Sequence, residues 1–277
     1  MKYLSLLNEK KKNKEKITAL TAYDYPTARI LDESGIDIVL VGDSYAMVKL
    51  GHETTLPVTM TEMLSISQAV SRGIRESILI IDMPFLSYQV SEAEAMYNIG
   101  LFFKETKAQA VKIEATANNI SLIGKIVKMD VPIMAHIGLT PQSVYRLGGY
   151  RIQGKDAESA YRIYEQALAL EKAGVCSLVL EGMTSELSQR ITEELSIPTI
   201  GIGAGLYCDG QILVIDDLLG MNPDYLPKHT KQYADLYGII RDAVGKYMID
   251  VEQSRFPEEK HFTHLEEKEK FYKKIKA

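Results

Sequence analysis

The sequence has few cysteines and no long apolar run. Its 277 residues include only two cysteines, Cys176 and Cys208, and that number predicts a reduced intracellular protein rather than a disulfide scaffold. No apolar run approaches the roughly 18–20 residues that a membrane span requires. The apolar patch near the amino terminus is too short for the centre of a signal peptide. We therefore expect a cytoplasmic protein that does not enter a membrane.

Positive charge is not in excess either. The 32 lysines and arginines are outnumbered by 37 aspartates and glutamates, which gives a net charge of −5. A protein of this charge has no general electrostatic attraction for nucleic acid. We therefore expect small-molecule partners rather than a nucleic acid.

Two common catalytic motifs are absent from the sequence. Neither G-x-x-x-x-G-K-[ST] nor G-x-S-x-G occurs, which argues against a P-loop NTPase and against a hydrolase with a nucleophile elbow. The glycine-rich run 201–205 resembles a dinucleotide-binding loop only weakly, because Leu206 stands where the third glycine of G-x-G-x-x-G would fall. Close packing of the backbone at the end of a strand is the favoured role of these glycines.

Eight short apolar runs, rich in β-branched residues, alternate with segments of helical spacing. The predicted strands are 17–23, 36–44, 77–84, 110–115, 131–138, 177–183, 197–205 (ending in the glycine-rich turn) and 211–215. This alternation predicts an α/β fold, a single-domain (β/α)8 TIM barrel, with a doubly wound open sheet as the alternative. We expect a lead-in segment over residues 1–16, the barrel over 17–250 and a charged tail over 251–277.

Carboxylates recur at the carboxyl ends of these strands. The acids in question are Asp43, Asp82, Glu114 and Glu181. Active sites of barrel enzymes lie at this end of the strands. Lys112 and Glu114 share a face of the fourth strand, whereas Ile113 points the other way, because successive side chains alternate. The sequence therefore predicts a cluster of acids with a lysine at one rim of the barrel.

The type of side chain favours a hard cation at this rim. Clustered carboxylates repel one another and either raise one pKa or recruit a cation. Asp43, Asp82 and Glu114 offer oxygen ligands without cysteine or clustered histidine, which points to Mg²⁺ or Mn²⁺ rather than zinc. Glu181 lies on a later strand, so we interpret it as a general base rather than a further ligand. The alternatives are helix caps or solvent-facing acids, and a salt bridge for Glu181.

His136 and Ser44 are further candidates for substrate binding. His136 ends the fifth strand in M-A-H-I-G, and a lone histidine on an apolar strand is more often a core residue with satisfied hydrogen bonds. Its place at the catalytic end of the barrel favours a role in the site. Ser44 follows Asp43 and can donate to a bound carboxylate, although a helix cap or turn cap is an equal alternative.

At these residues the chain resembles the ketopantoate hydroxymethyltransferase family. The resemblance runs in family order from about residue 17 to 228 and covers most of the chain. The matching segments are T-A-Y-D-Y, L-V-G-D-S, G-H-E-T-T-L-P-V-T, D-M-P-F, V-K-I-E, H-I-G-L-T-P-Q-S-V, G-G-Y-R-I-Q-G, L-V-L-E, P-T-I-G-I-G-A-G and D-G-Q-I-L-V. Several of these segments are weak signals alone, but the set is highly specific.

The resemblance implies a barrel of the phosphoenolpyruvate/pyruvate-binding superfamily with one Mg²⁺ ion per subunit. It implies metal ligands at three positions: Asp43, Asp82 and Glu114. It also implies contacts with a 2-oxoacid from Asp43, Ser44, Asp82 and Lys112. Family members commonly form decamers built from pentameric rings, so we expect a homo-oligomer and, more specifically, a decamer.

The resemblance also implies a reaction. A hydroxymethyl group would pass from the co-substrate 5,10-methylenetetrahydrofolate to 3-methyl-2-oxobutanoate through a metal-stabilised enolate, with Glu181 as the catalytic base. The product would be ketopantoate, for pantothenate and coenzyme A biosynthesis. Two alternatives stay open: a lyase or mutase of the same superfamily, which would present a reactive cysteine in a loop, and a barrel that only binds a ligand or assembles.

Overall fold

Eight parallel strands close into a barrel in which each strand pairs with its neighbours in chain order and the last pairs with the first. The structure is a computed structural model that describes residues 2–224 and 226–276. The strands are β1 (Ile17–Thr21), β2 (Ile38–Val41), β3 (Ile78–Asp82), β4 (Ala110–Glu114), β5 (Ile133–Gly138), β6 (Ser177–Glu181), β7 (Thr199–Ile202) and β8 (Gly210–Leu213). The predicted barrel is confirmed, and the open-sheet alternative is wrong.

Helices follow the strands around the outside of the barrel. In the described part of the chain they are α1 (Ser5–Asn13), α2 (Tyr25–Glu33), α3 (Tyr45–Val48), α4 (Met60–Gly73), α5 (Glu92–Glu105), α6 (Ile120–Val127), α7 (Val144–Leu147), α8 (Ala157–Ala173), α9 (Ser185–Glu194), α10 (Ile215–Leu219), α11 (Leu236–Glu252) and α12 (Lys268–Ile275). Short 3-10 turns cover Pro141–Ser143 and Glu259–His261. None of the helices in residues 2–224 and 226–276 combines the length and apolar character that a membrane crossing needs.

Local capping signals fix where several helices begin. The Thr59 side chain accepts from the backbone N–H of Glu62, whose carboxylate accepts in return from the Thr59 backbone, so this capping box starts α4. Ser91 accepts from the N–H of Glu94 and caps the start of α5, without the reciprocal bond. These side chains satisfy N–H groups that have no partner within the helix.

Strand alternation divides the apolar side chains between two cores. Side chains that face outward pack under the helices, and Ile113 is among them. Those that face inward fill the barrel and include Ile78 and Ile80 of β3. The next inward position on that strand is Asp82, which is buried above this apolar layer. The inward faces of the strands therefore deliver polar side chains at the carboxyl end of the barrel.

The lead-in segment contributes to the barrel floor. Leu7 of α1 is 1% exposed and packs with the inward-facing core. The first and last residues of the expected terminal segments, Met1 and Ala277, lie outside the described residues. The tail within 251–276 is exposed and carries α12.

Two expected element boundaries are wrong at the carboxyl-terminal side. The eighth strand ends at Leu213 rather than at 215, because the Ile215 N–H leaves the sheet, donates to Thr21 Oγ1 at 3.0 Å and begins α10. The apolar spacing of the sequence predicts a last amphipathic helix over 231–248, but the helix observed there is α11, which Asp235 caps by accepting from the N–H of Gly238. A capping carboxylate thus overrides the apolar periodicity that suggested an earlier start.

Candidate active site

Polar side chains from the ends of five neighbouring strands, β2 to β6, meet inside the carboxyl rim of the barrel. The structure buries nearly all of the candidate residues there, with Asp43, Asp82, Lys112, Glu114 and His136 each at most 7% exposed. Glu181 at the end of β6 is more open, with 18% of its side chain exposed. The residues predicted from separate strand ends therefore form one cluster, and we call these six residues the rim cluster.

Asp43, Asp82 and Glu114 do not cap the α-helices that follow their strands. Within residues 2–224 and 226–276, Ser91 caps α5, and the residues that precede α3 and α6, Ser44 and Asn119, make no side-chain cap bond. Burial also excludes the solvent-facing alternative for Asp43, Asp82 and Glu114. Neither helix capping nor exposure to solvent therefore accounts for these three carboxylates.

Asp82 is held by its neighbours from both sides. The Asp43 backbone N–H donates to Asp82 Oδ2 at 3.0 Å. Lys112 Nζ lies 3.1 Å from Asp82 Oδ1 as an ion pair, but the contact lacks hydrogen-bond alignment, so Oδ1 has no hydrogen-bond partner in the described part of the chain. Burial, with a further contribution from Asp43, raises the pKa of Asp82 to about 7 against the opposing charge of Lys112. The positive charge of Lys112 alone therefore does not offset the burial of this carboxylate.

Gln142 joins two acids of the rim cluster, and the sequence did not single it out. Its Nε2 donates to Asp43 Oδ2 at 2.8 Å and to the Met83 carbonyl at 2.9 Å. Its backbone N–H lies 3.1 and 3.0 Å from the two carboxylate oxygens of Glu114. Tyr88 Oη donates to its Oε1 at 2.8 Å. A buried amide with every polar atom in use fixes both Asp43 and Glu114 in place.

The position of Gln142 in the chain explains why the sequence did not reveal it. It lies in the 3-10 turn Pro141–Ser143 that follows β5, inside a long polar connection without apolar periodicity. The only available signal was its place within the segment L-T-P-Q-S-V, directly after a strand end.

His136 connects Lys112 to Glu181. Its Nδ1 is 3.2 Å from Lys112 Nζ, and its Nε2 is 3.1 Å from Glu181 Oε2. An ammonium group only donates, so Nδ1 must accept and the proton of a neutral ring lies on Nε2. Burial lowers the pKa of His136, and the charge of Lys112 lowers it further. The Nε2–H therefore faces Glu181, although the contact is not aligned as a hydrogen bond in this conformation.

Lys112 stays charged in these surroundings. Burial works against its ammonium form, but Asp82, Asp43 and Glu114 together outweigh burial and raise the pKa of Lys112. Burial and the charge of Asp43 raise the pKa of Glu114 well above its ordinary value. One buried ammonium group thus faces three buried carboxyl groups.

Ser44 does not cap α3 with its side chain. It stands at the start of that helix without a capping hydrogen bond, and its Oγ lies 2.7 Å from Tyr23 Oη. A Cβ at Gly42 would fall 2.8 Å from Ser44 Oγ and 3.6 Å from Asp82 Oδ2. The glycine of G-D-S therefore leaves room for two of the predicted site residues.

The donor set of the rim cluster fits Mg²⁺. Its carboxylates supply hard oxygen donors, and Asp82 Oδ1 is buried without a hydrogen-bond partner in the described residues. Within 2–224 and 226–276, no three acidic, histidine or cysteine side chains already converge on one point. Zinc sites are usually built from cysteine or histidine ligands, whereas carboxylate oxygens are the hard ligands that Mg²⁺ prefers. The arrangement therefore suits Mg²⁺ better than zinc.

The glycine run 201–205 and the two cysteines do not belong to the rim cluster. The glycine run packs closely, as expected, since a Cβ at Gly201 would lie 2.9 Å from Cys208 Sγ. Cys208 is buried. Cys176 precedes β6, at the opposite end of the barrel from Glu181, and its Sγ contacts the Ile133 carbonyl at 3.1 Å. Burial raises the pKa of the Cys176 thiol to about 11. Neither thiol is placed to react at the rim.

Comparison with known proteins assigns a family. The family model described as ketopantoate hydroxymethyltransferase matches residues 2–259. A 3-methyl-2-oxobutanoate hydroxymethyltransferase of Thermoanaerobacter sp. (strain X514) is 51% identical over 263 residues, or 95% of this chain and 96% of the relative. One of the same name from Geobacter sulfurreducens is 53% identical over 247 residues, or 89% of this chain and 92% of the relative.

A solved structure shares the fold at much lower identity. The phosphoenolpyruvate phosphomutase from Streptomyces platensis subsp. rosaceus superposes with a TM-score of 0.61 at 12% identity, over 91% of this chain and 88% of that chain. At this identity the likeness shows a common barrel and nothing about the reaction.

The contacts of His136 predict its protonation state. We expect its imidazole to be neutral at about pH 6.5, the ordinary pKa of histidine, because burial and Lys112 lower its pKa. We also expect the proton on Nε2, because Nδ1 accepts from Lys112. Nitrogen-15 NMR of the imidazole rings measures both, with a His136→Gln variant to assign the signals. A cationic ring at that pH, or a proton on Nδ1, would contradict this geometry.

Proposed function

Because this chain belongs to the ketopantoate hydroxymethyltransferase family, we propose that it transfers a hydroxymethyl group to 3-methyl-2-oxobutanoate and so forms ketopantoate for pantothenate and coenzyme A biosynthesis. The donor is 5,10-methylenetetrahydrofolate. The methylene carbon and one water molecule supply the hydroxymethyl group, and tetrahydrofolate leaves. The observation that carries the proposal is the buried rim cluster, in a chain 51% identical to a named transferase.

Asp43, Asp82 and Glu114 would hold one Mg²⁺ per subunit. When bound, Mg²⁺ would act as a Lewis acid toward the carboxylate and keto oxygens of the 2-oxoacid. Gln142 supports this role because it orients Asp43 and Glu114 at the same time. Ser44 would donate to the substrate carboxylate from its place between Tyr23 and the acids.

Lys112 would stabilise the negative charge that develops on the substrate. Its raised pKa keeps the ammonium group charged, and it lies between Asp82 and His136 in the buried site. A fixed charge in a water-poor site stabilises a developing oxyanion more effectively than water does. Lys112 would therefore promote formation of the enolate from the 2-oxoacid.

Glu181 would remove the proton from C3 of the 2-oxoacid. It is the most exposed acid of the rim cluster, so it can reach a bound substrate, and its Oε2 lies beside the Nε2–H of His136. His136 would orient Glu181 and leave one oxygen free to accept the proton. We therefore assign His136 to positioning Glu181, although it can also contact the substrate. The enolate carbon then forms its new bond with the folate methylene.

Two observations weigh against the alternatives. A lyase or mutase with a reactive cysteine in a loop does not fit Cys176, which lies at the far end of the barrel with a raised pKa. A barrel without catalysis does not need four acids and a lysine gathered at one rim, because buried unpaired carboxylates cost free energy. The transferase reaction uses each of these groups.

An assay with both substrates tests the proposed function. Purified protein with 3-methyl-2-oxobutanoate, methylenetetrahydrofolate and Mg²⁺ should form ketopantoate, detected by mass spectrometry, and a chelator should stop the reaction. Excess Mg²⁺ should restore activity after chelation. Failure to form ketopantoate under any metal condition would contradict the proposal, and product formation that resists chelation would contradict its metal.

We also propose that the protein is a homo-oligomer. Helix α11 has no buried side chain in the described part of the chain. Its exposed apolar residues are Tyr237, Ile239, Ile240, Val244, Tyr247, Met248, Ile249 and Val251. Apolar patches this continuous are uncommon on monomers and mark interaction surfaces. A second copy of the chain is the occupant favoured by the family resemblance.

Sedimentation of the full chain tests the assembly. We expect a particle near ten times the subunit mass of 31.0 kDa, because the family resemblance implies a decamer. Val244→Asp should lower this mass by placing a charge on the exposed apolar side of α11, whereas Lys246→Asp on the same helix should have a smaller effect. A monomer in the unmodified protein would contradict the proposal.

Removal of one carboxylate should weaken the metal site. Asp82→Asn keeps the side-chain shape but removes a charge, so Mg²⁺ affinity should fall at least about tenfold, a loss of about 1.4 kcal/mol. Isothermal titration calorimetry measures it. Asp216→Asn is the matched control, because Asp216 is also buried but is paired with Lys49 at 2.6 Å. Equal Mg²⁺ affinity in the Asp82 variant and the unmodified protein would move the metal elsewhere.

Removal of the buried ammonium group should impair substrate binding and turnover. Lys112→Met should raise the KM for 3-methyl-2-oxobutanoate and lower kcat by roughly 10²–10³-fold, the usual cost of losing one oxyanion-stabilising group. Lys107→Met is the control, since Lys107 precedes β4 and its Nζ donates to the Ile74 carbonyl at the opposite end of the barrel from the rim. Small and equal kinetic effects in both variants would show that Lys112 does not act on the substrate.

A further inference from the structure

A cavity of about 380 Å³ lies beside the rim cluster, above the carboxyl ends of β3, β4 and β5. Glu114 belongs to both the cavity wall and the rim cluster, and Gln142, which bonds to Asp43 and Glu114, also lines the cavity. A molecule in this cavity would therefore lie next to the site proposed for the 2-oxoacid. Cavities of this size accept small organic ligands, which usually occupy about 300–1,000 Å³.

The walls of the cavity combine flat apolar surface with amide groups. Phe85 and Tyr88 follow β3, and Leu122 of α6 adds an aliphatic side chain. Gln89 and Asn118 add amides, which both donate and accept hydrogen bonds. Aromatic walls with a few amides are suited to a planar heterocycle that carries donors and acceptors along its edge.

The charge of the walls narrows the class of ligand. Among the described residues that line the cavity, none is lysine, arginine or histidine. Glu114 is the single residue of this lining that carries a carboxyl group. An anionic ligand, such as a phosphate or a chain of carboxylates, would find no cation there and would meet the charge of Glu114. The cavity therefore fits a neutral ring.

We infer that this cavity binds the pterin ring of the one-carbon donor. The inference rests on the proposed function, which requires a reduced folate next to the 2-oxoacid. The 2-amino-4-oxopyrimidine edge of a pterin has both donors and acceptors for Gln89 and Asn118, and its ring is neutral. The anionic glutamate tail of the folate extends out of the cavity toward solvent.

A second cavity does not meet these requirements. It measures about 430 Å³ and lies between α6 and α8, with Lys125, Lys128 and Lys172 in its wall. It shares no residue with the rim cluster, so a donor bound there could not deliver a carbon to the 2-oxoacid. Its side chains therefore offer a control position outside the proposed pterin site.

Binding of two probes to three variants tests the inference. The probes are tetrahydrofolate and 6-methyltetrahydropterin, which has the ring but no glutamate tail, and the protein is loaded with Mg²⁺ and 3-methyl-2-oxobutanoate. Leu122→Trp fills the cavity, Asn118→Ala removes an exposed amide, and Lys128→Trp places the same bulky ring in the second cavity. Calorimetry measures each dissociation constant, and circular dichroism checks each fold.

We expect Leu122→Trp to weaken both probes equally, by at least about tenfold, and Asn118→Ala to weaken both by less. Lys128→Trp should bind them as the unmodified protein does. Unchanged affinities in the two cavity variants would overturn the inference while leaving the proposed function intact. Weaker binding of tetrahydrofolate alone would also overturn it, because the tail would then occupy the cavity. If the unmodified protein binds neither probe and forms no ketopantoate, the proposed function fails as well.

Discussion

The burial of three carboxyl groups beside one ammonium group is the interaction on which the site depends. Transfer of an ion out of water costs several kcal/mol, and Lys112 compensates only part of that cost for Asp82 and Glu114. Backbone N–H groups of Asp43 and Gln142 reduce the cost further without adding charge. The remaining deficit of positive charge explains why the rim cluster suits a divalent cation.

The barrel positions these acids because successive side chains along each strand point alternately inward and outward. Asp82 stands above Ile80 and Glu181 above Val179 on the same strand, whereas Glu114 stands above Lys112. Strand pairing and the hydrogen bonds of Gln142 bring the side chains of the rim cluster close together before any ligand binds. Glu181 differs from the others because it is partly exposed, which suits the proton transfer proposed for it.

Short-range patterns were sufficient to predict the barrel and most of the rim cluster. The apolar runs located the strands, and the period of two placed Lys112 and Glu114 on one face. Gln142 could not be found in this way, because its partner Asp43 lies 99 residues away and only the closed barrel brings them together. The pairing of His136 with Glu181 likewise depends on the register between β5 and β6. The start of α11 was missed because one capping carboxylate outweighed the apolar pattern.

The central claim is that Glu181 accepts the C3 proton without serving as a metal ligand, and proton exchange tests it most directly. Enolate formation needs no folate, so the unmodified protein with Mg²⁺ in D₂O should replace the C3 proton of 3-methyl-2-oxobutanoate by deuterium, seen by proton NMR. Glu181→Gln should slow this exchange by roughly 10²–10⁴-fold, the usual contribution of a positioned base, while Mg²⁺ affinity is retained. Exchange at the unmodified rate in the variant, or loss of Mg²⁺ affinity together with exchange, would contradict the assignment.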